Sequence, residues 1–165
     1  MSRPRTLPDT QIFALVLSAL SDQGEKAVSF GNLSRACGLA PATLAQRFGS
    51  VDGMIHAALL AEWDRLSAAV EGETADPDKG AQGLLKHLPT PSAAVLAVSL
   101  RNAALRQRAE DWRARVETAV AARRGGGPKG REVAAMLVAA WYSRQLWDSL
   151  GAKGFKLSDL MKRLG

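Results

Sequence analysis

The chain has 165 residues, 47% hydrophobic and 23% charged, which excludes a disordered or fibrous protein and is enough to bury a core. Its one cysteine, Cys37, excludes an internal disulfide and a cysteine-rich zinc site. The net charge of +6 is uneven, because residues 1–53 hold five Lys/Arg against four Asp/Glu and residues 81–165 hold fifteen against six. Overall charge is therefore no argument that the N-terminal segment binds nucleic acid.

A first helix is predicted over residues 9–23. Apolar residues recur at helical spacing from Ile12 to Leu20, Asp9 is a candidate N-cap, and Gly24 ends the pattern. The spacing therefore indicates an amphipathic helix with one buried face.

Two short helices are predicted next. In VSFGNLSRACG, Ser29 is the candidate N-cap of a helix over about 30–37, and Gly38 is its left-handed terminator. In GLAPATLAQRFGS, a helix over 41–48 begins at Pro41, where the missing N–H would have had no partner in any case. A tight glycine-containing turn between two short helices is typical of a helix-turn-helix.

The second of these helices presents polar residues outward. Leu44 and Phe48 are four residues apart and share the packed face, which leaves Thr43, Gln46 and Arg47 pointing away. Arginine can bind guanine through two hydrogen bonds, glutamine can pair with adenine, and threonine can contact phosphate or a thymine methyl group. The alternative interpretation is a solvated helix face with no ligand.

The rest of the chain is also predicted to be helical. A long fourth helix starts after the candidate N-cap Ser50 and ends in the acidic segment EGETADPDKG, the candidate linker. The later pattern predicts a short helix in GAQGLLKHL, then either one long helix over about 92–124 or two helices with a break near 105–108, and a loop at 125–130. The segment REVAAMLVAAWYSRQLWDSLG then predicts an apolar helix, and LSDLMKRL a short closing one. No segment shows clean β-strand alternation.

The first helix together with SFGNLSRACGLAPATLAQRFGSVDGMIHAAL resembles the N-terminal DNA-binding region of the TetR-type bacterial transcriptional regulators. The resemblance covers roughly residues 9–66 and rests on spaced small and apolar positions. It implies an all-α fold, with a three-helix helix-turn-helix domain at 1–53 and a helical effector-binding and dimerisation domain at 54–165. The implied function is a homodimeric regulator, more commonly a repressor, that binds a pseudo-palindromic operator in double-stranded DNA. The positions that match the family pattern are Ser29, Gly38, Thr43, Leu44, Phe48 and Ser50.

The resemblance and the exposed polar face together select the candidate DNA contacts. They include two arginines of a Pro-rich arm that could reach the minor groove, although a solvated terminus is the alternative. The candidates are Arg3, Arg5, Ser29, Pro41, Ala42, Thr43, Gln46 and Arg47.

Dimerisation and effector binding are likewise implied for the C-terminal domain. An ordinary core is the alternative in both cases, because apolar residues at helical spacing serve a core equally well. The candidate dimer interface is Met136, Leu137, Ala140, Trp141, Arg144 and Trp147. The candidate pocket, for a small apolar or aromatic effector, is Leu84, Leu88, Leu96, Leu100, Trp112, Val116 and Trp141.

A second function stays open because Ala40, Ala45 and Val51 stand where the family has serine, tyrosine and lysine. Three expected phosphate contacts are therefore missing, and such contacts supply much of the affinity for DNA. The alternative is a helical dimeric binding protein with this fold and weak or no specific DNA binding. The arginine-rich segment 101–124 is either a second nucleic-acid surface or a solvated face paired with acidic neighbours.

Catalysis and membrane insertion are not predicted. His56 and His87 are the only histidines, and neither lies near a second residue at metal-ligand spacing. No phosphate-binding, dinucleotide or hydrolase motif occurs, so we expect no enzyme activity, cofactor or metal. The basic start lacks a following apolar run and no apolar stretch reaches the roughly 20 residues of a membrane span, which predicts a cytoplasmic protein.

Overall fold

The structure is a computed structural model that describes residues 7–74, 80–148, 150–151 and 154–164. Within these ranges every regular element is helical, which confirms the all-α prediction. A short 3-10 helix, Glu25–Ala27, separates the first two α-helices. The α-helices are α1 (Asp9–Gln23), α2 (Phe30–Cys37), α3 (Pro41–Phe48), α4 (Val51–Thr74), α5 (Ala81–His87), α6 (Ala93–Ser99), α7 (Ala103–Ala122), α8 (Gly127–Asp148) and α9 (Leu157–Arg163).

The chain divides into two compact units, and two of the three boundaries between them fall inside helices, namely α4 and α7. The first unit comprises residues 1–64 and 92–108, and the second comprises 65–91 and 109–165. The predicted boundary after residue 53 does not coincide with this division, because the first half of α4 and all of α6 group with the N-terminal helices. None of the described helices is both long and apolar enough to cross a bilayer.

The first unit is built on one buried face from each helix. α1 contacts α2 and α6, and α2 contacts α3. Burial of these faces stabilises the fold by about 25 cal/mol for each Å² of apolar surface that is removed from water. The buried apolar residues that the helices of this unit contribute are Ile12, Val16, Leu20, Leu33, Leu44, Met54, Ile55, Ala58, Leu59, Trp63, Val95 and Leu105.

A buried hydrogen-bond chain crosses this core. The indole Nε1 of Trp63 donates to Ser99 Oγ at 2.9 Å, and Ser99 Oγ donates to the carbonyl of Val95 at 2.7 Å. Ser99 is fully buried, so its hydroxyl serves α4 and α6 at once without contact with water.

Replacing Ser99 by alanine is expected to lower the free energy of unfolding by about 1–2 kcal/mol, because the Trp63 indole loses this acceptor inside the core. Chemical denaturation followed by circular dichroism measures the change. Ser18→Ala is the matched control, since Ser18 lies on α1 of the same unit, its hydrogen bond to Asp22 is exposed to solvent, and the change should stay within about 0.5 kcal/mol. Equal stability of the two variants would show that this hydrogen bond contributes nothing.

The second unit packs aromatic rings between α7 and α8. The Trp112 ring lies 6.4 Å from that of Trp141 and 6.5 Å from that of Tyr142, centroid to centroid. The Tyr142 hydroxyl donates to the carbonyl of Pro91 at 3.2 Å, and burial raises the pKa of this phenol. α9 contacts α5 and α8 and so closes the unit.

Three local expectations differ from the structure. Pro8 occupies the N-cap position of α1, and Asp9 is the first helical residue. The break expected near 105–108 lies instead between α6 and α7, where Asn102 Oδ1 accepts from the backbone N–H of Leu105 at 3.1 Å and caps α7. The loop expected at 125–130 is shorter, because α8 already begins at Gly127. Pro128, in the next position, fits a first helical turn, where its missing N–H would have had no partner within the helix.

Candidate nucleic-acid interface

α2 and α3 are two short helices that contact each other and are joined by a tight turn. Ser29 Oγ accepts from the backbone N–H of Asn32 at 3.1 Å and caps α2, as predicted. Gly38 ends α2 with φ 75° and ψ 9°, a left-handed conformation that glycine adopts without strain. Three residues, 38–40, then lead to Pro41, the first residue of α3.

The inner face of α3 is held by apolar contacts on both sides. Leu33 of α2 is 2% exposed and Leu44 of α3 is fully buried. The rings of Phe13 and Phe48 lie 5.9 Å apart and join α1 to α3. Ser50 Oγ accepts from the backbone N–H of Gly53 at 2.9 Å, which caps the start of α4 directly behind α3. The short helix is therefore anchored by Leu44 in its middle and by Phe48 at its C-terminal end.

The outer face of α3 is open to solvent along its first two turns. Pro41, Ala42, Thr43 and Gln46 are all exposed. The sequence predicts that the side chains that contact DNA bases lie on this face. In helix-turn-helix proteins, the N-terminal residues of the second helix make such contacts.

Arg47 has a different environment from the one expected. Its Nε lies 2.6 Å from Asp9 Oδ1, and its Nη1 donates to the carbonyl of Leu7 at 2.8 Å. The guanidinium carbon also lies 5.9 Å from the centroid of the Phe48 ring. Arg47 therefore ties α3 to the start of α1. Helical spacing predicts the direction of the Arg47 Cβ, but it does not identify the partner of so long a side chain. The sequence pattern instead indicates that Asp9 is an N-cap, which gives no reason to pair it with Arg47.

Three other DNA-contact candidates do not offer an exposed, free side chain in the described structure. Ser29 is half-buried and its hydroxyl oxygen serves the α2 cap. Arg3 and Arg5 lie outside the described residues. A cation that the sequence analysis did not select, Arg35 of α2, is exposed and donates to Asn32 Oδ1.

The candidate dimer residues separate into two faces of α8. Leu137 and Trp141 are 0% and 2% exposed, so they belong to the core of the second unit and offer no surface to a second copy. Met136 and Trp147 are 44% and 59% exposed, whereas Ala140 and Arg144 are intermediate. From Met136 onwards, five of the exposed residues recur every three or four positions and continue past the helix end. We call these five the α8 stripe: Met136, Ala139, Ser143, Trp147 and Leu150.

The candidate effector residues are divided between the two units. Leu96 and Leu100 belong to the first unit, and Leu100 is 53% exposed. The other five are buried in the second unit, where apolar residues at helical spacing form its core. They are Leu84, Leu88, Trp112, Val116 and Trp141.

Four arginines of α7 and of the turn before it make ion pairs. Arg108 lies 2.9 Å from Asp64, Arg115 contacts Glu71, and Arg101 contacts Glu25. Arg113 pairs with Glu117 at 3.8 Å along the same helix. These contacts favour the solvated, ion-paired face over a second nucleic-acid surface.

Comparison of the chain with protein-family models, with curated proteins and with solved structures finds no match.

Proposed function

We propose that this chain is a helix-turn-helix transcriptional regulator of the TetR type, which binds operator DNA as a homodimer, most simply as a cytoplasmic repressor. The observation that supports the proposal is the α2–α3 pair. Its capped first helix, left-handed glycine turn and anchored second helix leave Thr43 and Gln46 exposed beside Pro41 and Ala42. Such a helix fits the major groove of DNA.

The side chains of α3 would have different roles in binding DNA. Gln46 and Thr43 would contact base edges, because both are exposed. Arg47 would position α3 through its contacts with Asp9 and Leu7. Phosphate contacts would then come from Arg35 on α2 and from the arginines that precede α1.

Selection from random duplexes, at low and at moderate salt, tests the proposal. We expect one enriched pseudo-palindromic sequence, and we expect Gln46→Ala or Thr43→Ala to weaken binding to it by about fivefold or more while relaxing the preference at one position. Gln11→Ala is the matched control, because Gln11 is exposed on α1 of the same unit. The absence of any sequence preference at either salt concentration would overturn the proposal.

A second candidate is a helical dimeric binding protein that has lost specific DNA binding. Two features favour it: Ala40, Ala45 and Val51 supply no polar contacts to phosphate, and the guanidinium of Arg47 is bound to Asp9. Sequence-independent binding that disappears at moderate salt would favour this candidate, because such binding is purely electrostatic.

A further inference from the structure

The corner between α3 and α4 is an unusually tight turn. α3 ends at Phe48 and α4 begins at Val51, so only two residues join the helices. The backbone N–H of Ser50 donates to the carbonyl of Phe48 at 2.9 Å, across Gly49. Gly49 has φ 76° and ψ −58°, which are the angles of a γ-turn with positive φ, a rare and strained conformation. A side chain at position 49 would add to that strain.

Gly53, in the first turn of α4, allows this corner to close. A Cβ atom at position 53 would lie 2.5 Å from the carbonyl oxygen of Phe48 and 3.2 Å from Ser50 Oγ. Real Cβ atoms essentially never come within 3.0 Å of such a neighbour. Because the Phe48 oxygen belongs to the backbone, it cannot move aside alone. Any side chain at position 53 must therefore displace the end of α3 or the start of α4.

Helix stability does not explain a glycine at position 53. Glycine destabilises a helix relative to alanine, because the unfolded chain has more freedom to lose. Gly31 and Gly72 also lie in α-helices, but a Cβ atom at either position would meet nothing within 4 Å. Alanine could replace those two without displacing a neighbour. At position 53 the close approach of two backbone segments requires glycine.

A displacement at this corner would reach the exposed face of α3. The fully buried Leu44 holds the middle of the helix, and the Phe48 ring at its end lies 5.9 Å from that of Phe13. Movement of the Phe48 backbone would therefore tilt α3 about Leu44 and shift Thr43 and Gln46. Hydrogen bonds have narrow ranges of distance and angle, so a shift of roughly half an ångström weakens them.

We infer that Gly49 and Gly53 are positioning residues, which set the orientation of α3 without contacting a ligand themselves. Gly49 permits the γ-turn, and Gly53 permits the approach of the Phe48 carbonyl to α4. The effect of this orientation on base contacts rests on the function proposed above. The hold of the corner on α3 can be measured without DNA.

Amide hydrogen exchange of the full chain tests the corner itself. In Gly53→Ala and in Gly49→Ala, the amides of residues 45–48 should exchange about tenfold faster than in the wild type, because the end of α3 loses its fixed packing, while the amides of α1 keep their rates. Gly72→Ala is the matched control on α4 and should change neither helix, because its Cβ meets no neighbour. Gly49→Ala decides the matter if Gly53→Ala does not fold, since position 49 is exposed and open.

Two outcomes of the exchange experiment would overturn the inference. Unchanged rates at residues 45–48 would show that the corner does not hold α3. Equal acceleration in α1 and α3 would show that the glycines serve the general stability of the unit and not the orientation of one helix.

DNA binding tests whether the orientation sets the base contacts. The measured quantity is the ratio of the Kd for a duplex with one changed base pair to the Kd for the selected duplex. Both corner variants should lower this ratio about fivefold, and Gly72→Ala should keep it. A variant that merely unfolds more easily weakens binding to every duplex equally, so an unchanged ratio would overturn this step. A wild type without any sequence preference would overturn the proposed function, and the exchange rates would still decide the role of the corner.

Discussion

The double variant Met136→Glu/Trp147→Glu is expected to be a monomer of 17.5 kDa at tens of micromolar, under conditions where the wild type sediments as a dimer. Both side chains belong to the α8 stripe and are 44% and 59% exposed in the protomer. The small residues Ala139 and Ser143 lie between them, so a second helix could approach closely. Burial of two carboxylates without partners at such an interface would cost more than the apolar contact contributes.

The matched control for this experiment is Leu100→Glu. Leu100 is an apolar residue that is 53% exposed, but it lies outside α8 and in the first unit. This variant should remain dimeric. A wild-type protein that sediments as a monomer at these concentrations would contradict the dimer proposal.

Loss of the dimer should also abolish operator binding in practice. A dimer holds its second helix-turn-helix at a high effective concentration once the first is bound, which raises the affinity by a factor of about 100 or more. Fluorescence anisotropy with a full palindrome and with a single half-site separates this effect from damage to α3. The monomeric variant should bind both duplexes equally weakly, whereas the wild type should prefer the palindrome.

Asp9→Asn is expected to strengthen DNA binding and to make it more dependent on salt. Asp9 holds the Arg47 guanidinium at 2.6 Å beside the exposed face of α3, so neutralising the carboxylate frees one cation per protomer and removes a negative charge. One new phosphate contact steepens the slope of log affinity against log salt by about 0.9. For a dimer the slope should therefore steepen by about 1.8. The gain in affinity of the variant over the wild type should then be about tenfold larger at 50 mM salt than at 200 mM.

Two further variants identify the cause of this gain. Asp22→Asn changes the net charge equally on the same helix, where Asp22 accepts a hydrogen bond from Ser18, and it should leave the slope unchanged. Arg47→Ala should remove the gain when combined with Asp9→Asn. Alone, it should cost at most about 1 kcal/mol of stability, because the ion pair is partly exposed. An unchanged slope in Asp9→Asn would show that Arg47 only positions α3.

The elements that sequence alone predicted well are those set by neighbouring residues. The extent of α2 and α3 follows from Ser29, Gly38 and Pro41, and each acts within four residues of its own position. The outward direction of Thr43 and Gln46 likewise follows from helical spacing and the buried Leu44. The caps and faces of short helices are thus readable without knowledge of the tertiary structure.

The remaining features depend on contacts that are distant in the sequence. Arg47 meets Asp9 across 38 positions, and which side of an almost wholly apolar α8 faces inward is decided by its neighbours in the fold. Leu137 and Met136 are adjacent, yet the first is fully buried and the second is 44% exposed. The contact between α5 and α9 likewise joins segments that are far apart in the chain. Periodicity on a single helix contains no information about any of these pairs.

The unequal burial of the four tryptophans gives the protein an internal optical reporter. Trp63, Trp112 and Trp141 are at most 5% exposed, whereas Trp147 is 59% exposed within one protomer. Water shifts indole emission to longer wavelengths and allows collisional quenching by small solutes, so both signals from a lone protomer come chiefly from one residue. Association of two copies through the α8 stripe could therefore be followed on dilution by intrinsic fluorescence, with no dye attached and no residue replaced.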